Sequence, residues 1–173
     1  MAKKKLNLQA YQQDILARLK NLAEGGREAS STRLGVKIGN VSGLVSLMDI
    51  SEVLPVPEII RVPLTHSWFM GMANVRGNLY ALTDLAHFIG GDARALTHES
   101  RILLVHQRFG VNAGLLVDQL IGLRSINEMQ VQKHTKDMQA WQLAQYKDAS
   151  GQDWVELDLA ALLGQKEFMQ IAA

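Results

Sequence analysis

From Arg33 onward the chain keeps changing direction. Short apolar and β-branched runs, "RLGVKI" and "VSGLVSLM" among them, are separated by turn signals every few residues. Runs this short and this frequent predict small β-barrels or a sandwich. Gly39-Asn40 between the first two runs is a tight-hairpin signal. "EIIRVPL" reads as a further strand, with Pro55, Pro57 and Pro63 confining this region to edges and turns. "GMANVRGNLYALTD" reads as a hairpin turning at Arg76-Gly77-Asn78, where Gly77 supplies the positive φ of a tight turn. "RILLVHQ" and "VNAGLLVDQLIGL" make the next hairpin, and "WVELD" is the last strand, after the loop "DASGQD".

The first 32 residues are of another kind. Leu8, Tyr11, Ile15, Leu19 and Leu22 recur at steps of three and four, which places them on one face of an amphipathic helix. Gly25-Gly26 ends it, and "REASSTR" reads as a linker. The expected organisation is therefore a helix and linker over 1–32 and one β-rich domain over 33–173. The helix has two readings. It packs on its own domain, or it offers its apolar face to a partner.

Two segments echo each other. "DLAHFIG" begins at Asp84 and "DLAALLG" at Asp158, and each follows a strand-like run. In both, an aspartate is placed to cap a short apolar helix and a glycine to close it. The match suits either two similarly built halves or two unrelated junctions obeying the same capping rules.

Composition removes several classes of function. The 173 residues carry a formal net charge of +1, which gives no global attraction to nucleic acid. There is no cysteine, so thiolate chemistry and disulfides are excluded. No stretch approaches the apolar length of a membrane helix, and a soluble, cytoplasmic protein is expected. The five histidines form no HExxH or other helical metal pair, and no phosphate loop or nucleophile elbow occurs. Asp84 and His87 lie three apart like a catalytic couple, but capping already accounts for Asp84. His106 reads as structural. No metal or cofactor is expected. What remains is strand edges, a charged hairpin tip and an amphipathic helix, the parts of an interaction module. Arg76 is either a solvated turn residue or a guanidinium held by a carboxylate, with Asp49, Glu52 and Asp84 as candidates.

Four stretches resemble, in order, the signatures of CheW-type chemotaxis coupling proteins: "ISEVLPV", "GMANVRGNLYALTDLAHFIGG", "SRILLVHQRFGVNAGLLVDQLIGL" and "WVELDLAALL". The likeness runs from about Leu34 to Leu163. The amino-terminal helix and "VPLTHSWFMGMANVRG" look most like the PilI branch, the coupling proteins of type IV pilus twitching-motility systems. The resemblance implies a mainly β fold of two small five-stranded SH3-like β-barrels packed together, with short helices. It implies a non-enzymatic adaptor between a methyl-accepting chemoreceptor tip and a CheA-like histidine kinase, recruited to membrane-associated arrays. It implies partner contacts at Ile50, Glu52, Gly71, Asn74, Arg76 and Gly77, with Glu52 and Arg76 exposed, and the two are expected to pair on the surface. Two positions depart from the family pattern. Ala81 stands where a proline is usual, which suggests an altered barrel edge, and Gln119 where an arginine often follows "LLVD". The alternatives are a small-barrel nucleic-acid-binding protein, which needs a basic groove with stacking aromatics, and a hydrolase with converging Asp and His side chains.

Overall fold

The computed structural model describes residues 31–173 together with Gln13, Leu16 and Ala17. The apolar face expected at Leu8, Tyr11, Ile15, Leu19 and Leu22 lies outside the described residues. Among the described residues eleven strands follow one another: β1 (Thr32–Ile38), β2 (Val41–Ser46), β3 (Ile50–Pro55), β4 (Phe69–Val75), β5 (Asn78–Asp84), β6 (Arg101–Val105), β7 (Ala113–Val117), β8 (Gln119–Ser125), β9 (Gln130–Val131), β10 (Gln142–Lys147) and β11 (Asp153–Leu157). Short helices at Leu85–Phe88, Leu159–Leu163 and Lys166–Met169 complete the order.

The strands form two sheets, ordered β3-β6-β7-β5-β4 and β8-β1-β2-β11-β10-β9. Five strands per sheet were expected. The second has six, because the two-residue β9 adds to β10. Neither order closes through a backbone ladder. The sheet of β3–β7 is inserted into the chain between the first and last strands of the other.

The two sheets repeat one plan. An antiparallel hairpin (β6–β7, β1–β2) pairs in parallel with a third strand (β5, β11), which pairs antiparallel with its predecessor (β4, β10). A further antiparallel strand flanks each hairpin (β3, β8). The echoed "DLA" segments fall at the same place in both. Asp84 Oδ1 accepts from His87 N at 3.1 Å, and Asp158 Oδ1 accepts from Ala161 N at 2.9 Å. The Asp84 and Asp158 amides donate to the carbonyls of Trp68 and Trp141, both at 2.8 Å. The two-halves reading is the right one.

Side-chain alternation divides the core in three. Ile102 and Leu104 of β6, with Leu82 and Leu116, fill the interior of the five-stranded sheet. Leu44, Tyr146 and Trp154 fill the six-stranded one. The opposite faces meet between the sheets, where Leu103, Val105, Leu115 and Val117 pack with Leu34, Val36 and Ile38 of β1. Strands β6 and β7 are thus buried on both faces, which is why "ILLV" and "AGLLV" show no polar alternation.

Three local expectations change. "EIIRVPL" is not a strand; only Ile60 bridges Met72. The prolines withhold ladder donors, and Leu64 turns the chain with φ 59°. "VNAGLLVDQLIGL" is not one hairpin arm, for the chain changes sheets at Asp118. That residue's carboxylate accepts from Gly39 N at 2.7 Å and its amide donates to Lys37 O at 2.8 Å, tying the crossing to the β1–β2 turn. Ala81 does not alter an edge. It lies in β5, inside the sheet, and its amide donates to Asn112 O at 2.9 Å, a bond that proline would forfeit.

The β10–β11 turn is built by one carboxylate. Asp148 accepts from the Ser150 hydroxyl at 2.6 Å, the Trp154 indole at 2.9 Å, and the amides of Ser150 and Gln152. The Ser150 and Trp154 bonds pull its pKa down to about 2. A folded pKa below the unfolded value gives stability that is present above about pH 4 and lost as pH falls toward 2. Asp148→Asn is therefore expected to lower Tm at pH 7, with the gap to wild type closing between pH 4 and pH 2 in thermal melts. A gap independent of pH would contradict this account.

Candidate partner-binding site

Strands β3 and β4 end the five-stranded sheet on opposite sides, yet their side chains meet. At the β4–β5 turn both central residues have positive φ, 52° at Arg76 and 85° at Gly77, as a two-residue hairpin loop requires. Gly77 N donates to Asn74 Oδ1 at 2.8 Å and tightens the turn. From there the Arg76 guanidinium reaches β3. Nη1 donates to Glu52 Oε2 at 2.5 Å, and Nη2 donates to Glu52 Oε1. This fork matches the planar carboxylate.

A β-bulge aims Glu52. The β3–β6 register passes from Ile50↔Val105 to Glu52↔Leu104, so Ser51 is the extra residue. The bulge moves Glu52 off the Ile50 face and onto the Leu104 face, which lines the barrel interior. Glu52 and Arg76 therefore lie across the mouth of the barrel. The ion pair joins end strands that no backbone ladder joins.

The other candidate carboxylates are occupied. Asp49 receives Arg108 Nη2, and Asp84 caps its helix. Burial raises the Asp49 pKa, and the adjacent Arg108 opposes that rise. Glu52 in turn holds the Arg76 guanidinium above its ordinary pKa, through the side-chain bonds first and the charge second. The Arg76 side chain remains 72% exposed, against 21% for Glu52.

The six expected contact residues divide into two sets. Glu52, Asn74, Arg76 and Gly77 lie together at the barrel mouth. Ile50 is fully buried in the packing between the sheets. Gly71 is buried too, with φ 133°, and a Cβ there would stand 2.3 Å from Ile60 O. Gly71 lets the loop before β4 cross close enough for Ile60 and Met72 to exchange amide bonds at 2.7 and 2.8 Å. Sequence reasoning missed Ser51, whose bulge depends on tertiary pairing. It also missed Gln13, Leu16 and Ala17, which line a cavity beside Glu52.

The possible catalytic couple separates. Asp84 accepts from the His87 backbone rather than its ring, and among the described residues the buried His87 Nδ1 has no hydrogen-bond partner. Ser67 Oγ lies 3.4 Å from His87 Nε2, but among the described residues no carboxylate orients that ring. His106 is a cap, its Nδ1 accepting from Arg108 N at 3.1 Å. Among the described residues no acidic and histidine cluster could hold a metal ion. No described helix is long and apolar enough to cross a membrane.

Comparison with known proteins decides the family. A family model for the CheW-like domain matches residues 33–167. The chain belongs to the CheW-like family. It is 34% identical over 116 residues to the protein PilI of Pseudomonas aeruginosa, an alignment covering 64% of this chain and 65% of PilI. The chain thus spans just under two thirds of that relative. The chemotaxis protein CheW of Helicobacter pylori is 26% identical over 111 residues, covering 62% of this chain and 67% of that protein. In fold the chain is similar to the scaffolding protein TtCheW of Thermoanaerobacter tengcongensis, with TM-score 0.67 and 22% identity over 80% of this chain and 95% of that one. The CheW-like fold accounts for the two sheets and their repeated plan.

Two variants separate fold from surface. Gly71→Ala adds both a clash with backbone and an unfavourable φ, and should cost at least about 2 kcal/mol. Chemical denaturation checks it, and a change below about 0.5 kcal/mol would show that the loop yields freely. Arg76→Asn keeps a residue tolerant of positive φ while deleting the ion pair. Exposed pairs add little stability, so Tm should stay within about 3 °C of wild type.

Proposed function

We propose that this CheW-like chain is a non-enzymatic adaptor that couples methyl-accepting chemoreceptor tips to a CheA-like histidine kinase in a type IV pilus system. The observation that carries the reading is Arg76. A two-residue hairpin loop of this kind favours Asn or Gly, and positive φ is costly for an arginine. The side chain is nevertheless held rigidly in a fork and left exposed at the barrel mouth. Its ion pair adds little to folding. An arginine kept against local preference, and preorganised, suits a partner's carboxylate or carbonyl. The likeness to PilI directs the reading toward twitching motility.

The mechanism is geometric. The adaptor contributes no chemical step. It would hold receptor tip and kinase in fixed relation, so that a shift in receptor conformation biases the kinase equilibrium. Glu52, Asn74, Arg76 and Gly77 are the contact surface in this reading. Ile50 and Gly71 act from beneath it, by fixing β3 and the loop before β4. Each contact is weak alone and gains strength from repetition in an array. The site of action is the cytoplasmic face of a membrane-associated array.

The test is co-purification with a CheA-like kinase, then kinase assays with and without a receptor signalling fragment. Wild type should form the complex and change kinase output. Arg76→Glu sets two carboxylates against each other at the mouth, and should keep the fold by circular dichroism. Its affinity for at least one partner should fall tenfold or more, which corresponds to about 1.4 kcal/mol. Normal assembly and normal kinase control by a folded Arg76→Glu protein would refute the role.

A further inference from the structure

Residues 56–68 join β3 to β4, the two strands whose side chains make the barrel-mouth pair. The first part of this loop is anchored on the five-stranded sheet. Val56 and Ile59 pack on the barrel interior, and Ile60 exchanges amide bonds with Met72 of β4. Trp68 anchors the far end, with Phe168 stacked against it at 6.3 Å and 14°. The stretch between has little burial to fix it. Residues 60–64 are exposed, and so are His66 and Ser67.

That stretch is held by a segment arriving from the other half. After β11 the chain passes through the helices Leu159–Leu163 and Lys166–Met169 and then reaches the loop. Ala172 bridges Thr65 in antiparallel register. His66 N donates to Ile171 O at 2.9 Å, and Ala173 N donates to Leu64 O at 3.0 Å. Thr65 is half-buried between exposed neighbours, and its Oγ1 donates to Val62 O at 3.0 Å. These bonds bracket Leu64, which is 87% exposed and has φ 59°. A left-handed leucine is strained, and this one gains little from burial. Such a conformation persists only where its surroundings over-determine it. The grip is passed on to β4, because His66 O accepts from Phe69 N at 3.0 Å.

We propose that residues 171–173 are a positioning clasp for the barrel mouth. By fixing Leu64–His66 they pin the loop that ties the strand of Glu52 to the strand of Arg76. A segment that follows the six-stranded sheet thus readies a surface on the five-stranded one. With the clasp open, the loop and the start of β4 must be ordered during binding, and that ordering subtracts from affinity. The proposal rests on the adaptor reading of the barrel mouth.

The test opens the clasp in two ways. Deleting residues 170–173 removes it and leaves Phe168 in the core. Ala173→Pro removes only the donor to Leu64. Amide exchange reads the loop with no partner present, through Phe69 N on His66 O and Met72 N on Ile60 O. Both should exchange about tenfold faster or more in the deletion, with a smaller change in Ala173→Pro. The amides of β6 should change far less. Affinity for a CheA-like kinase or for a receptor signalling fragment, measured by calorimetry, should fall about three- to tenfold in the deletion. A closed form is accessible because the chain has no cysteine. Thr65 and Ala172 are a non-hydrogen-bonded antiparallel pair, the spacing a disulfide can span. Oxidised Thr65→Cys, Ala172→Cys protein should bind at least as well as wild type, and adding Ala173→Pro to it should weaken binding only after reduction. Unchanged exchange at Phe69 and Met72 in the deletion overturns the inference. So does equal quickening in β6, which would make the segment a general brace, and so does unchanged affinity for both partners. If Arg76→Glu loses binding in those cases, the adaptor reading survives. If folded Arg76→Glu binds both partners normally, the adaptor reading is what fails, and this inference falls with it.

Discussion

Two strands buried on both faces hold this molecule together. β6 and β7 send Ile102, Leu104 and Leu116 into one barrel, and Leu103, Val105, Leu115 and Val117 toward the other. Burying one such side chain is worth roughly 1.5–3 kcal/mol. Neither barrel interior is large. The five-stranded one closes on a few apolar side chains and the six-stranded one on Leu44, Tyr146 and Trp154. Small sheets of this size are marginal when they stand alone. The shared packing makes up the difference, and the chain path enforces it. Since β1 and β2 precede the inserted sheet and β8 follows it, the six-stranded sheet is completed only after the five-stranded one has been threaded.

The repeated plan leaves each sheet with two end strands, and the two sheets manage them differently. In the five-stranded sheet a forked ion pair spans the gap between β3 and the β4–β5 turn. In the six-stranded sheet the polar work is internal: Arg33 Nε donates to Glu156 Oε1 at 2.5 Å, and Tyr146 donates to Glu156 Oε2 at 3.0 Å. Burial, then the bond to Glu156, pushes the Tyr146 pKa up to about 12. One charge pair is buried and serves the fold. The other lies at the surface, with the arginine mostly exposed. The same chemistry is divided by solvent access rather than by residue type.

The sequence disclosed what depends on local chemistry. The turn at Gly39-Asn40, the hairpin at Arg76-Gly77 and both "DLA" caps follow from turn and capping rules alone. The strand assigned to "EIIRVPL" failed because prolines outweigh β-branched composition there. Strand β10 escaped notice because "QLAQYK" has weak apolar alternation. The helix Lys166–Met169 depends on a distant contact, Phe168 packing against Phe88 at 5.2 Å and Trp68 at 6.3 Å. The site was half legible. Arg76 stood out at its turn and the family resemblance set Glu52 beside it, but local pattern left Asp49 and Asp84 open, because that choice turns on a bulge at Ser51. A bulge is a property of pairing between strands distant in sequence, and local pattern does not encode it.

An exposed ion pair keeps a fixed orientation only if the backbone beneath it is stiff. The barrel mouth meets that condition by stacking constraints. The turn is set by two positive φ values and the Asn74 bond, the guanidinium by two parallel bonds, and the carboxylate by a bulge anchored over Ile50. Below them lies the packing between the barrels, so tilting the mouth would disturb both cores. Protein interiors resist such deformation. Exposed charge on a rigid footing gives a surface whose orientation is fixed by the fold beneath it.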